Sequence, residues 1–249
     1  MDRFAYTSLA SITESSLKRQ SLVNDLANVS TVGFKRSFEA ALRGVRADGA
    51  GFESRIQPQT LAVDVIDLHP GAVQVTGNNM DIAIQDQGVL GVIAADGTNA
   101  FTRRGDLRVN ASGVLETGSG QIVRGEGGPI TLPQGVTVSF SSDGSVLTTN
   151  PATGEQAVLD RLYLRDASET QLVRRADGLF TPRDHDGGDI PVTNKLPGLI
   201  AGALEGSNVS AIESMVMLMD QARSFEMSMN AIKESKELDA NGSSMLRMG

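Results

Sequence analysis

Residues 5–26 read AYTSLASITESSLKRQSLVNDL, and the spacing of apolar residues in this stretch decides the fold class. Neither glycine nor proline interrupts it, and five of the seven positions in one heptad frame are apolar, which is the pattern of a coiled-coil helix. The frame consists of Ala5, Leu9, Ile12, Ser16, Arg19, Val23 and Leu26. We therefore predict an amphipathic helix at the N-terminal end.

A matching pattern lies near the other end of the chain, where a second heptad frame also has five apolar positions of seven. The frame consists of Ile212, Met215, Met219, Ala222, Glu226, Met229 and Lys233. Ser210 and Glu213 have the spacing of a capping box, which marks the start of a helix. Both ends of the chain are therefore predicted to be amphipathic helices.

The stretch between about residues 49 and 202 has short alternating apolar runs, which are typical of half-buried strands. The runs are Ile82/Ile84, Val136/Val138/Phe140 and Leu162/Leu164. Turn-forming sequences separate them at hairpin spacing. They are Gly77-Asn78-Asn79, Asp96-Gly97, Ser112-Gly113, Gly127-Gly128-Pro129, Asp143-Gly144, Asn150-Pro151, Asp177-Gly178 and Gly187-Gly188. This texture predicts a mainly antiparallel all-β domain.

Each predicted helix needs a partner, because an isolated helix of about 22 residues, roughly 33 Å long, is only marginally stable in water. We predict an α+β fold in which paired N- and C-terminal coiled-coil helices flank the β domain, with further copies covering the rest of the apolar surface. The predicted division is a helical axial domain of residues 1–35 and 205–249, a connecting segment of 36–75, and an outer β-rich domain of 76–204. Helices covering one face of the β domain remain an alternative, and membrane-surface helices are disfavoured because the C-terminal one is acidic.

Composition excludes several classes of function. The net charge is -8, from 22 basic and 30 acidic residues, so nucleic acid is a poor partner. There is no cysteine and there are only two histidines, so we expect no metal site and no cofactor. The longest nearly unbroken apolar run, Val89–Ala95, is far shorter than the roughly 18 residues of a membrane span. No cleavable signal peptide is evident at the N-terminus.

Three small motifs carry little weight as functional sites. Arg104-Gly105-Asp106 is an adhesion-type tripeptide, but its neighbours have strand character. Acidic residues that could ligate Ca²⁺ lack the spacing of an EF-hand loop; they are Asp184, Asp186 and Asp189. His69 and His185 belong to no recognisable catalytic constellation, and we expect the protein not to be an enzyme.

Three separated segments resemble the signatures of flagellar rod and hook proteins. Asn24–Arg36, NDLANVSTVGFKR, is similar to an N-terminal signature that usually reads Asn-Asn-Leu-Ala-Asn followed by Thr-x-Gly-Phe. Thr76–Ile84 and Phe101–Gly105 resemble the central hairpins of that family, and GALEGSNV at 202–209 with MVMLMDQARSFE at 215–226 resembles its C-terminal signature. Asp25 and Gly88-Val89-Leu90 depart from the usual pattern. The chain is most similar to proximal-rod members, on Gly127–Pro133 and Ala222–Glu226.

The resemblance implies a non-enzymatic structural subunit of the flagellar basal-body rod, the hollow drive shaft that transmits torque to the hook. Terminal helices would form the inner tube, assembling with copies of the chain and with other proximal and distal rod proteins. The subunit would pass through the flagellar type III export apparatus without a cleaved signal and without membrane insertion, and assemble in the periplasm. A distal-rod or other axial protein is the near alternative, and a secreted β-rich glycan-binding protein or enzyme the remote one.

The predicted assembly interface combines the helix stripes with the signature residues. It consists of Leu9, Ile12, Val23, Leu26, Ala27, Asn28, Gly33, Phe34, Asn208, Val209, Ile212, Met215, Met219, Ala222, Phe225 and Met229. Gly33 follows the predicted helix exit, so we expect a positive φ there. We also expect that Gly33→Val impairs assembly while the β domain remains folded.

Overall fold

The computed structural model describes residues 2–39, 42–46, 56–60, 64–183, 188–193 and 196–247. It begins with helix α1 (Asp2–Ala27) and ends with helix α2 (Ala211–Arg247). Ser210 caps α2 as predicted, because its Oγ accepts a hydrogen bond from Glu213 N at 3.3 Å. Neither helix carries, in its described residues, an apolar stretch long enough to cross a membrane.

Short strands occupy the chain between the helices. They are β1 (Ser37–Glu39), β2 (Leu42–Arg46), β3 (Ile56–Thr60), β4 (Asp64–Ile66), β5 (Val73–Val75), β6 (Ile82–Ile84), β7 (Gly88–Ile93), β8 (Asn99–Thr102), β9 (Leu107–Val109), β10 (Leu115–Thr117), β11 (Ile122–Gly125), β12 (Gly128–Pro129), β13 (Thr137–Phe140), β14 (Ser145–Thr149), β15 (Gln156–Arg161), β16 (Leu164–Asp166), β17 (Leu172–Arg174), β18 (Phe180–Pro182), β19 (Leu199–Ala201) and β20 (Ala203–Glu205). Leu162 forms only an isolated bridge with Gly125, so the predicted Leu162/Leu164 strand is divided between two elements.

Every strand pair with a described register is antiparallel, which confirms the all-β prediction for the middle of the chain. The largest sheet has 11 strands in the order β1-β4-β17-β18-β8-β7-β11-β10-β9, with β12 on β11 and β16 on β7. The smaller sheets are β13-β14-β15, β19-β6, β2-β3 and β20-β5. The predicted turns at Asp96-Gly97 and Asp143-Gly144 join adjacent strands, and both glycines have positive φ, 82° and 84°.

Strand β7 lies between two hydrophobic cores. Leu90 and Val92 point into the larger core with Leu115, whereas Val89 points the other way, into a core with Phe101. Alternate residues of a strand face opposite sides of the sheet, so a strand that is buried on both sides must be apolar throughout. This explains the Val89–Ala95 run without any role in a membrane.

The chain divides into two compact units. The helical unit contains α1, α2 and the β2–β3 hairpin, and the β unit contains residues 28–38 and strands β4 to β20. Segments 28–35 and 205–209, which we predicted to belong with the helices, group with the strands instead. Part of the predicted connecting segment, 36–75, is also strand, since β4 pairs with β17 and β5 with β20. The division of the assembled protein into axial and outer domains stays a prediction.

Within the helical unit, α1 and α2 pack against each other, and their contacts include one side-chain hydrogen-bonded pair and one cation–π contact. Gln221 Nε2 donates to both the carbonyl oxygen and Oγ of Ser15 at 3.1 Å. The Arg19 guanidinium lies 5.6 Å from the centre of the Phe225 ring. A coiled-coil geometry for the pair stays a prediction. The side chains of Leu9 and Ile12 lie outside the described part of α1.

The face of α2 that contacts α1 is shifted by one residue from the predicted heptad frame. The less exposed positions repeat at steps of three and four; they are Ala211, Ser214, Leu218, Gln221, Phe225, Ser228 and Ile232. In the predicted frame, Ile212 is 78% exposed and Met219 is 58% exposed. This frame is therefore exposed in the single chain, and its burial in an assembled bundle stays a prediction. The sequence did not distinguish the frames because both contain large apolar residues, and the contacting frame also includes the polar Ser214 and Gln221.

Candidate functional site

Glu205, at the end of β20, gathers distant parts of the β unit around one buried carboxylate. Its Oε1 accepts hydrogen bonds from Lys35 Nζ at 2.6 Å and from the backbone N–H of Gly71 at 2.8 Å. Its Oε2 accepts from Arg103 Nε and lies 2.7 Å from Arg103 Nη2. Both oxygens are therefore occupied by strong donors. We call Lys35, Arg103 and Glu205 the junction cluster.

Arg103 uses its whole guanidinium within the fold. Besides Glu205, it donates to the backbone carbonyls of Ile84 at 2.7 Å, Asp86 at 2.8 Å and Gly88 at 2.7 Å. Asp86 has a φ of 53°, a left-handed conformation that aspartate tolerates better than most residues. The connection between β6 and β7 is thus shaped to present its carbonyls to Arg103, and all five N–H donors of a guanidinium can find acceptors.

Lys35 brings the second cation to the cluster. Its side chain is fully buried, and Nζ also donates to the carbonyl oxygen of His69 at 2.7 Å. Burial lowers the pKa of Lys35 below its usual range and the nearby charge of Arg103 lowers it further, whereas the hydrogen bond to Glu205 acts in the opposite direction. With two cations and one carboxylate, the cluster depends on backbone carbonyls for the rest of its charge stabilisation.

The backbone of Gly33 and the side-chain amide of Asn208 hold the chain segments beside this cluster. Gly33 has a φ of 67°, which confirms the predicted conformation, and its N–H donates to the carbonyl of Glu205 at 2.8 Å. A Cβ on Gly33 would lie 2.4 Å from the carbonyl oxygen of Arg103. Asn208 accepts from Arg36 N at 2.8 Å and donates to Asp67 O at 2.9 Å. The N- and C-terminal segments therefore lie side by side within the β unit.

The predicted interface residues fall into two groups. Gly33, Asn208, Val209 and Phe34 belong to the β unit, where Phe34 stacks with the Arg174 guanidinium at 4.3 Å. On the helices, exposed side chains include Val23, Ile212, Met215, Met219 and Ala222, whereas Leu26, Phe225 and Met229 are half-buried. Near the end of α1, Ala27 is exposed, and Asn28 Oδ1 accepts a hydrogen bond from Thr31 Oγ1 at 3.1 Å.

Sequence reasoning missed all three charged residues of the junction cluster. They lie within the quoted signature segments, but isolated charged residues there carry no periodic signal that predicts burial. Separations of 170 residues between Lys35 and Glu205 and of 102 residues between Arg103 and Glu205 also hide the pairing. Lys35 follows Phe34 and Glu205 lies between Leu204 and Gly206, but Arg103 lies between Thr102 and Arg104, so no shared neighbour pattern marked the three residues.

The motifs that we discounted have structural explanations where they are described. Arg104 and Asp106 bind each other through two hydrogen bonds, 2.6 and 2.8 Å long, so the tripeptide is closed on itself. His69 is exposed and contacts Asp67. Asp184, His185 and Asp186 lie outside the described residues. Among the residues that are described, no three histidine, aspartate or glutamate side chains are placed to hold a metal ion.

Two protein-family models match segments of this chain that contain residues of the junction cluster. A family model of the flagellar hook protein FlgE/F/G D1 domain matches residues 83–148, and one of the flagellar basal body rod FlgEFG protein C-terminal region matches residues 200–245. The flagellar basal-body rod protein FlgF of Salmonella typhimurium is 34% identical over 100% of both chains. The chain belongs to the flagellar basal-body rod protein family. Proteins of this family are structural components, and this chain is a structural flagellar rod subunit.

Other members of the flagellar basal-body rod protein family are similar over most of the chain. FlgF of Escherichia coli is 32% identical over 100% of both chains, and FlgG of Agrobacterium fabrum is 29% identical over 87% of this chain and 89% of its own. Arg103 lies within the matched D1 region, and Glu205 lies within the matched C-terminal region. The junction cluster therefore links the two regions by which the family is recognised.

Proposed function

We propose that this chain is a subunit of the proximal part of the rod and that it assembles there through its terminal helices. The observation that carries the proposal is an exposed apolar stripe on α2, formed by Ile212, Met215, Val216 and Met219. An apolar patch of this kind on a helix is typical of a protein interaction site. Copies of the chain and other rod proteins are the partners expected for a rod subunit.

The position of the stripe supports assembly between neighbouring subunits. At 100° per residue, Ile212 lies on the opposite side of α2 from Gln221, which donates to Ser15 of α1. The helix can therefore pair with α1 on one side and with another subunit on the other. Paired helices of this kind would form the inner tube of the rod, with the β unit facing outwards.

Similarity to FlgF over the full length of both chains favours the proximal rod, whereas the similarity to FlgG is lower and covers less of this chain. A distal-rod or other axial subunit is the near alternative. In this role the chain is part of a hollow shaft in the periplasm that transmits torque to the hook. It reaches that place through the flagellar type III export apparatus. The remote alternative of a secreted glycan-binding protein or enzyme is set aside by the family membership.

A deletion strain tests this function. Removing the gene should abolish motility and stop basal bodies before the distal rod and hook, and the wild-type gene should restore both. Electron cryomicroscopy of purified basal bodies should then place the chain in the proximal rod. Motile deletion cells would contradict the proposal, and a position farther along the shaft would favour the distal-rod alternative.

A further inference from the structure

The short strand pair β5–β20 has a register that the side chains of β5 do not determine, although Ala203 of β20 is buried. β20 pairs with β5 at only three positions, Ala203 with Val75, Leu204 with Gln74, and Glu205 with Val73. All three residues of β5 are exposed, and Val75 is 86% exposed. Register is normally set by the need to bury one face of a strand, so a strand exposed at every position is free to slip. Backbone hydrogen bonds from Thr76 N to Gly202 O and from Gly206 N to Ala72 O extend the pair, and a buried side-chain interaction can fix its register.

The junction cluster supplies that interaction. Glu205 Oε1 binds Gly71 N on the chain leading into β5, and Glu205 Oε2 binds Arg103 after β8. A slip of β20 by two residues would carry the carboxylate roughly 7 Å away and leave two buried cations without it. One register therefore satisfies the cluster, and the neighbouring registers do not.

The same carboxylate also holds the N-terminal segment. Lys35 Nζ binds Glu205 Oε1, and Gly33 N–H binds the backbone carbonyl of Glu205. Residues 28–36 begin immediately after α1, and residues 206–210 lead directly into α2. Both segments therefore share one buried group, in addition to the hydrogen bonds that Asn208 makes with Arg36 and Asp67.

We propose that the junction cluster is a register lock: Lys35, Arg103 and Glu205 position the two segments of the β unit that lead to α1 and α2, and assembly requires these segments in that position. The residues act as positioning residues and contact no partner themselves. Buried ion pairs can often be replaced by neutral side chains with little loss of stability, and their best-attested use is to specify register. The assembly part of this inference rests on the proposed function.

The test replaces one ion pair of the lock by neutral side chains of similar size, in Lys35→Met/Glu205→Gln. The matched control is Arg108→Met/Glu116→Gln, which removes an exposed 2.7 Å ion pair between β9 and β10. The chain has no cysteine, so introduced cysteines can be spin-labelled specifically. One label at Ser112→Cys is combined with a second at Ser30→Cys or Val75→Cys, and Ser112→Cys/Thr153→Cys serves as the internal reference.

In the lock variant, the distance distributions from Ser112 to positions 30 and 75 should broaden or shift by roughly 7 Å, the length of a two-residue slip. The reference distance should not change, and the control variant should match the wild type at every pair. Unchanged distances to positions 30 and 75, whether or not the melting temperature falls, would overturn the lock. If the double variant does not fold, Glu205→Asp replaces it, because it keeps the charge but cannot reach both cations; unchanged distances there would also overturn the lock.

Incorporation into purified basal bodies gives an independent readout. The lock variant should be incorporated at least tenfold less than the wild type, and the control variant normally. Normal incorporation together with altered distances would overturn the claim that assembly requires the lock. The distance measurements use the purified chain and do not depend on the rod, so failure of the wild-type gene to restore motility would count against the proposed function alone.

Discussion

The junction cluster and the exposed stripe of α2 reverse the usual distribution of side chains. Lys35, Arg103 and Glu205 are charged and at most 1% exposed, whereas Ile212 and Met219 are apolar and 78% and 58% exposed. Most proteins place such residues the other way round. The cluster is complete within one chain because its hydrogen bonds are made, whereas the stripe is exposed in the single chain and would be covered by another subunit under the proposed function. The contrast separates a group of side chains whose contacts are all made within the fold from a surface that we propose for assembly.

The largest effect should come from placing a charge in the stripe. We expect Met219→Glu to change the stability of the free chain by less than about 0.5 kcal/mol, because the site is exposed there. In the rod the carboxylate would be buried without a partner, at a cost of several kcal/mol for each copy. Basal bodies purified from the mutant should lack the protein, and the cells should be non-motile.

The control for that substitution is Ser224→Glu, an exposed position on α2 outside the stripe. It should be incorporated normally. Equal incorporation of the two variants would mean that the stripe is not an assembly interface. The exposure of its apolar residues would then not distinguish it from the junction cluster by function.

Removing the cluster's carboxylate should give the next largest effect, this time on folding. Glu205→Gln leaves two buried cations facing a neutral side chain, which should lower the free energy of unfolding by about 3–5 kcal/mol. Glu116→Gln, whose partner Arg108 is largely exposed, should cost under about 1 kcal/mol. Denaturant unfolding of both variants measures the difference, and similar losses would show that burial does not distinguish the two ion pairs.

Substituting alanine for Gly33 and for Gly77 separates the cost of a positive φ from the cost of a steric clash at the Cβ. The alanine would need a φ of 67° and would place its Cβ 2.4 Å from Arg103 O, so we expect a loss of about 3 kcal/mol or more in the stability of the β unit. Gly77→Ala, at φ 73° with open space around the Cβ, should cost only about 1–2 kcal/mol. If thermal unfolding shows equal losses of stability for the two variants, the positive φ alone accounts for the loss and the contact with Arg103 does not add to it. This revises our expectation that substitution at Gly33 leaves the β domain intact.

The smallest effect concerns the pH dependence of stability. Because the pKa of Lys35 is lowered on folding, the unfolded chain binds more protons than the folded chain between that lowered value and about 10.5. Stability of the wild type should therefore rise with pH through that window, relative to Lys35→Met, which has no such group. Denaturant unfolding at several values from pH 7 to 10 should show that the free energy of unfolding of the wild type increases relative to that of Lys35→Met as the pH rises. A difference that does not change with pH would show that Lys35 keeps an ordinary pKa.

Sequence alone determined that the chain has helices at both ends and antiparallel strands between them, but not the strands within the predicted connecting segment 36–75. Two helices at the ends, antiparallel hairpins between them, the cap at Ser210 and the positive φ of Gly33 all follow from local signals, namely periodicity, turn chemistry and backbone sterics. Such signals act over a few residues, so they can be seen in the chain before it folds.

Tertiary structure decided which surfaces meet. The frame of α2 that contacts α1 differs by one residue from the predicted frame, because Ser15 offers its carbonyl oxygen and Oγ to Gln221 and the sequence contains apolar residues in both frames. The junction cluster joins Glu205 to Lys35, 170 residues away in the sequence, and to Arg103, 102 residues away. Nothing in the sequence indicates that these charged side chains will be buried. Burial and pairing depend on the whole fold, since only folding brings distant donors and acceptors within hydrogen-bond distance.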